Sequence, residues 1–392
     1  MALPNVKVKL GNGNLGRTSA SSDGVAGLIL TGSAVAGKME LNKAYQISGT
    51  RDLIALGITT QTNPLASKEV KAFYAQAGEG AELYLLVVAA ATTLTAMCDP
   101  ADGSPLGKLI NAAGGRIRIV GVNKLPAEGY TADITQGIDG DAITAAAKAQ
   151  ETAESCADQI KPFRLFLAAP SFDPDTEKLH KPCEASYNRV AMVLASDDPT
   201  TKTAAVGLVL GRAASIEPQQ SIGRVKDGAI ATILYLTNGE SYIEMAGRAE
   251  SLNDAGYIIP RGYPSKNGAY LNGNPTAAPR TDDYAQVHLG RVIDKAAVIA
   301  YDTYISEILD NIVVATNGKL SPGVCISYAS MLENALVNGM GTQVSSISVS
   351  IDATQNVLST GKLEINCKIV PLATMEVIQV NLAFDNPALK NV

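Results

Sequence analysis

The sequence predicts an α/β body built on a mostly parallel sheet, followed by a smaller α+β unit, with amphipathic strands at both ends of the chain. Three observations predict it. From Val25 to Pro260 short apolar runs alternate with helical stretches, the rhythm of strands joined by crossover helices. After the turn-rich stretch Gly262-Tyr263-Pro264-Ser265-Lys266-Asn267-Gly268 and Asn272-Gly273-Asn274-Pro275, the pattern changes to helices and then to period-two strands. Ahead of the body, Val6-Lys7-Val8-Lys9-Leu10 alternates apolar and basic residues, which is strand periodicity.

The elements follow in order. The strand at 6–10 leads into Gly11-Asn12-Gly13-Asn14-Leu15-Gly16 and a Ser-rich stretch, a flexible linker by composition. Val25 to Leu30 is short and apolar enough for a buried strand. Asn63 can cap a helix that has Pro64 at its first position and runs to Ala77. Leu83 to Val88, Arg116 to Val122, Phe163 to Ala168, Arg189 to Leu194, Ile233 to Leu236 and Tyr257 to Pro260 read as strands. Asp141 to Ile160, Thr203 to Ala214 and Ser241 to Ala255 read as helices. Beyond the boundary, Asp282 to Ile312 reads as a long helix ended by Asn317-Gly318, and Pro322 opens a second helix that reaches Gly339. Three strands close the chain: Ile347, Val349 and Ile351 alternate with Ser; Leu363, Ile365, Cys367 and Ile369 alternate with polar residues; and Ile378, Val380, Leu382 and Phe384 share one face of the last.

Composition narrows the function. The 392 residues include 46% hydrophobic and 18% charged residues, enough apolar material for a sizeable core. Trp is absent and the net charge is −6, which argues against stacking platforms and basic surfaces for nucleic acid. The five Cys are widely spaced with no Cys-x-x-Cys, a pattern of reduced thiols in a chain folded in the cytosol. Met1 to Gly16 has no apolar run of the kind a secretory leader carries, and no apolar stretch reaches membrane-spanning length. No cofactor, metal or membrane insertion is expected.

The motifs that look chemical lack their context. Gly11-x-Gly13-x-x-Gly16 matches a dinucleotide fingerprint by letter, but a Ser-rich linker follows it where a helix N-terminus must face the pyrophosphate. Gly32-Ser33-Ala34-Val35-Ala36-Gly37-Lys38 matches a phosphate-binding loop up to its last position, where Met39 replaces the Mg²⁺-ligating hydroxyl and the next segment looks extended. No Gly-x-Ser-x-Gly elbow occurs. His288 falls near the apolar side of the long helix and reads as a packed or interfacial residue, and His180 as part of a solvated loop. Asp197-Asp198 and Asp282-Asp283 read as caps and turns.

The terminal strands are more informative. A lone strand needs a sheet edge to join. Ordering about ten residues costs on the order of 10–20 kcal/mol; burying Ile378, Val380, Leu382 and Phe384 returns roughly 6–12, and each ladder hydrogen bond adds about 0.5–1.5. The sum is near zero, so each arm is expected to wait for a receiving sheet. Two arrangements satisfy this: strand addition to a neighbouring subunit, or a sheet within one chain in which the first strand folds back on the last three.

Tyr270-Leu271-Asn272-Gly273-Asn274, Thr281-Asp282-Asp283-Tyr284 and Arg291-Val292-Ile293-Asp294-Lys295-Ala296-Ala297 in a long helix, with a second helix and a terminal strand set after them, resemble contractile tail sheath proteins of phages and related injection particles, in the shorter prophage form. The resemblance covers residues 265–385 and extends to the N-terminal strand. It implies an arm at 1–22, an outward-facing α/β region at 23–264, a sheath core at 265–374 and a second arm at 375–392. It implies exchange of Val6, Val8 and Leu10, and of Ile378, Val380, Leu382 and Phe384, onto a receiving sheet at Ile347, Val349, Ile351, Leu363, Ile365 and Ile369 of neighbours. Gly11, Gly13 and Gly16 would supply hinge freedom. The second helix would face an inner tube through Glu333, Asn334 and Asn338. The implied role is structural, not enzymatic: six-fold rings stack around the tube, with baseplate and terminator proteins at the ends, and contract to drive the tube through an envelope. The particle would assemble in a bacterial cytoplasm. Two other readings stay open from sequence: a different self-assembling tube or shell protein, and a nucleotide-binding enzyme using Gly32 to Lys38.

Overall fold

The structure is a computed structural model that describes residues 22–127 and 129–385. The Val6–Leu10 strand and the hinge glycines Gly11, Gly13 and Gly16 lie outside the described residues.

A seven-stranded sheet forms the centre. Its strands are β1 (Ala26–Gly32), β2 (Ala44–Ile47), β3 (Leu83–Ala89), β4 (Ile119–Asn123), β5 (Arg164–Ala168), β6 (Val190–Val193) and β7 (Tyr257–Ile258), in the order β7-β6-β5-β4-β1-β3-β2. All neighbours run parallel except β2, which pairs antiparallel with β3 at one edge. The strands are apolar runs because both faces are covered. Alternate residues face opposite layers. Ile29, Leu86, Val120, Leu165 and Met192 pack with helices α2 (Pro105–Ala112) and α3 (Gly140–Asp158). Leu28, Leu85, Ile119, Phe166 and Val193 pack with α1 (Pro64–Ala77) and α4 (Val206–Ser215). The predicted α/β class and parallel sheet are therefore present.

Helices α1 and α4 meet backbone to backbone. A Cβ on Gly207 would lie 2.2 Å from the Glu69 carbonyl oxygen, and one on Gly211 2.4 Å from that of Phe73. This approach buries the Glu69 side chain completely. Its carboxyl accepts from the Gly207 N–H and from Asn123 Nδ2 at 3.3 Å. Burial, reinforced by Asp197, pushes the carboxyl up to about 8 from its usual 4.5. The folded chain thus keeps a proton that the unfolded chain has released. Stability from this group is complete below about pH 4.5 and declines as pH rises towards 8. Thermal midpoints of the native chain should fall across that window, and the fall should flatten in Glu69→Gln.

Several elements depart from the sequence pattern. Asn63 precedes α1 but makes no side-chain cap; its amide instead clamps residue 33, accepting from the Ser33 N–H at 2.7 Å and donating to the Ser33 carbonyl at 3.0 Å. The stretch 241–255 is a 3₁₀ turn, Glu244–Arg248, followed by α5 (Ala249–Ala255). Ser241 and Glu244 form a reciprocal cap that starts the turn, and Gly247 weakens continuity. The long helix is α6 (Val287–Tyr304), shorter than 282–312 at both ends. At its start Asp282 holds a turn by accepting from the Tyr284 N–H, and residues 285–287 pair with 274–276. At its end β-branched residues accumulate and Leu309 takes φ +69°, so the chain leaves helical geometry. Helix α7 (Pro322–Met340) matches its reading, with Ser321 as cap and Pro322 at the first position.

Candidate assembly interface

Helices α6 and α7 pack through Val292, Ala296, Leu332, Leu336 and Met340. Against them lies a two-stranded antiparallel sheet of β8 (Val344–Ser350) and β9 (Asn366–Pro371). The register sets Ile347 opposite Ile369 and Val349 opposite Cys367, while Ser348 faces Lys368 on the other side. Ile347, Val349, Ile365 and Ile369 are half-buried against the helices. Ile351, Leu363 and Ile365 fall outside the paired strands, although they were expected within them. Beyond Ser350 the chain turns at Asp352, which accepts from the Thr354 N–H, so no partner strand faces 363–365. Gln355 takes that place, bonding both backbone polar groups of Glu364.

The expected last strand, from Met375 to Phe384, has no ladder in the described chain. Ile378, Val380, Leu382 and Phe384 all stand exposed, at 73%, 70%, 90% and 108%. Met375 and Val377 are exposed as well. No described strand pairs with the outer edge of β8 or of β9. An exposed amphipathic segment thus follows closely after a sheet whose two edges are open among the described residues. Strand addition needs both parts.

Helix α7 carries one charged residue, Glu333. Glu333 is half-buried, and Asn334 and Asn338 are exposed. The outer face also presents Ile326 and Val337. Apart from Glu333, this face carries no charge.

What joins this unit to the α/β body was not read from sequence. Arg164, on β5 and 1% exposed, reaches α6. Its Nε donates to Asp294 Oδ2 at 2.7 Å and its Nη2 to Asp294 Oδ1 at 2.9 Å. Arg189 Nη1 donates to the same carboxylate at 3.1 Å. Gly290 admits the guanidinium; a Cβ there would lie 2.3 Å from its central carbon. Burial lowers the Arg164 proton affinity and Asp294 opposes that. The available signal was an arginine heading an apolar strand and the charged residues Arg291, Asp294 and Lys295 close together on a mostly apolar helix.

The chemical motifs have structural duties. Residues 32–38 form a tight turn closed by a Val35–Met39 bridge, with Gly37 at φ +71°, and no helix follows. Open α/β sheets bind ligands where strand order reverses, here between the ends of β1 and β4. That place is occupied by Thr31 bonded to Leu125 and by Asn123 bonded to Thr203 and Ala204. Beside it, Lys124 Nζ lies 2.7 Å from Asp141 and 3.1 Å from Asp139. An open cleft of about 540 Å³ includes Thr95, Asp133 and Asp141, and Asp141 is held by the Leu94 and Thr95 N–H groups. His180 is half-buried with its ring against Tyr257 instead of solvated; the loop folds over the sheet edge there. Asp197 and Asp198 face Lys68. Among the described residues no group of His, Cys, Asp and Glu is placed to hold a metal ion, and no helix is long and apolar enough to cross a membrane. All five Cys are free.

The fold is similar to that of chains in solved contractile sheath and baseplate structures, and the likeness runs over nearly the whole chain. A chain of the anti-feeding prophage (AFP) helical sheath in its contracted state matches at 16% identity and TM-score 0.61, covering 98% of this chain and 100% of that one. A chain of the AFP baseplate matches at 16% identity and TM-score 0.62, with the same coverage. A chain of the PVC sheath complex, from an extracellular contractile injection system in its contracted state, matches at 15% and 0.57, covering 98% of each. No curated protein matches the sequence. Residues 3–274 match the DUF2586 N-terminal domain and residues 283–389 the DUF2586 C-terminal domain, so the chain belongs to the DUF2586 family.

Proposed function

We propose that the chain is the structural subunit of a contractile sheath, a polymer of stacked six-fold rings that surrounds an inner tube and contracts to drive it forward. The single observation that carries this reading is the exposed apolar segment 375–385 beside the open-edged β8–β9 sheet. Strand donation between copies would bury that segment and complete the sheet. In this reading residues 1–22 and 375–392 are the connecting arms, 23–264 the outward-facing region and 265–374 the core. Receiving positions are Ile347, Val349, Ile351, Leu363, Ile365 and Ile369. Glu333, Asn334 and Asn338 on α7 face the tube. Other partners are baseplate and terminator proteins, and the particle is a phage tail or a phage-tail-like injector assembled in the cytoplasm. The likeness in fold to chains from the AFP and PVC sheaths supports it.

Negative-stain images of the purified full chain test the proposal. Hollow sleeves are the expected result; thin tubes or closed shells would place the chain in another class of self-assembling protein. Deleting residues 1–16 should leave a folded subunit, with an unchanged circular dichroism spectrum, that no longer forms sleeves. Sleeves from the truncated chain would remove the N-terminal strand from the connecting role.

A further inference from the structure

Three residues on one face of α6, His288, Arg291 and Lys295, follow the i, i+3, i+7 spacing of a single helical stripe. Each contacts a place where a terminal segment meets the body. His288 is 3% exposed. Its Nδ1 lies 2.9 Å from Asn274 Oδ1 and its Nε2 3.2 Å from Thr374 Oγ1. Thr374 lies within the exposed run of residues 370–385, one residue before the segment that starts at Met375. Arg291 Nη2 donates to the Asp23 carbonyl at 3.1 Å and Nη1 to the Ala213 carbonyl at 2.9 Å. Lys295 Nζ pairs with the Asp23 carboxylate at 2.7 Å. Between these groups and Arg118, Pro218 and Asp294 remains a void of about 10 Å³, room for at most one water.

We propose that α6 is a common anchor for the roots of both terminal segments, with His288 as the latch on the C-terminal one. The chemistry sets the polarity of the latch. Asn274 Oδ1 accepts, so Nδ1 carries the proton and Nε2 is left as acceptor for the Thr374 hydroxyl. Asn274 is itself fixed, since its carbonyl accepts from the Val287 N–H at 2.9 Å. One imidazole thereby ties residue 274 to residue 374, and two turns further along the same stripe Lys295 holds residue 23. In the sheath reading, on which only this consequence rests, the two arms leave the subunit from one rigid seat, and α6 sets their exit directions together.

The test uses the full chain below its assembly concentration. Thr374→Val removes the hydroxyl at an exposed position with little change of shape, and Thr374→Ser keeps the donor. Chymotryptic cleavage within 375–385 should quicken several-fold in the Val variant and stay at the native rate in the Ser variant. In the ¹⁵N-histidine-labelled chain, which has two histidines to resolve, His288 should show the neutral Nδ1–H form, and its Nε2 resonance should move in Thr374→Val only. Lys295→Met should speed hydrogen exchange in a peptide spanning residues 22–25. Native cleavage rates and an unmoved Nε2 resonance in Thr374→Val would overturn the latch; unchanged exchange at 22–25 in Lys295→Met would overturn the shared anchor. Because every readout is taken on dispersed subunits, these results are independent of sleeve formation, which the deletion of residues 1–16 tests.

Discussion

Asp294→Ala should destabilise the folded chain by about 3–5 kcal/mol, because it leaves the buried Arg164 guanidinium without its counter-ion. Arg164 is almost fully buried, and its Nε and Nη2 both end on this carboxylate, which Arg189 also approaches. Two further guanidinium bonds reach the carbonyls of Asn188 and Gly290 at 3.0 Å each. Those carbonyls supply partial charge only and cannot replace an anion. In a chain of 392 residues a loss of this size lowers a melting midpoint by about 4–6 °C. The control is Arg164→Met with Asp294→Leu, which replaces the pair by apolar side chains of similar length. Burying an ion pair costs desolvation, so the double variant should recover most of the loss. Recovery would show that the pair fixes how α6 docks more than it stabilises the fold. An Asp294→Ala midpoint within 2 °C of native would mean that the junction is hydrated and carries little energy.

The α/β architecture was legible because its signals are local. Leu83–Val88 and Leu165–Ala168 are apolar on both faces, and Asn63-Pro64 and Pro322 punctuate helices by chemistry that any sequence shows. The errors fall where a distant partner decides. Asn63 has the right residue type for a cap, yet Ser33 competes for its amide and wins. Asp282 to Gln286 have helical spacing, but Asp282 closes a turn on Tyr284 and residues 285–287 pair with 274–276. Leu363 and Ile365 alternate like a strand, but the opposing chain has already turned away at Asp352. The Arg164–Asp294 pair spans 130 residues, and no periodicity reports on that. The arms are expected from sequence for the opposite reason: their alternation has no local explanation, and in the described chain the segment from Met375 to Phe384 joins no ladder.

That property gives the second large effect. Ile378→Lys with Leu382→Lys should abolish sleeve assembly and leave the subunit as stable as before. Both positions are exposed in the described chain, and surface substitutions of this kind usually change stability by no more than about 0.5 kcal/mol. If the arm is donated, the same two side chains become buried between a neighbour's strand and its helices. Each then forfeits roughly 1.5–3 kcal/mol of apolar burial, before any cost of desolvating the ammonium groups. The summed loss raises the critical concentration by about 10²- to 10⁴-fold. Gln379→Lys with Asn381→Lys adds equal charge on the opposite face of the same arm, and there assembly should survive. The alternation of the arm thus becomes a measurable asymmetry, read by sedimentation against concentration beside the melting midpoint of each variant. Equal loss from both pairs would indicate charge repulsion, and no loss from either would show that the arm is not part of the polymer contact.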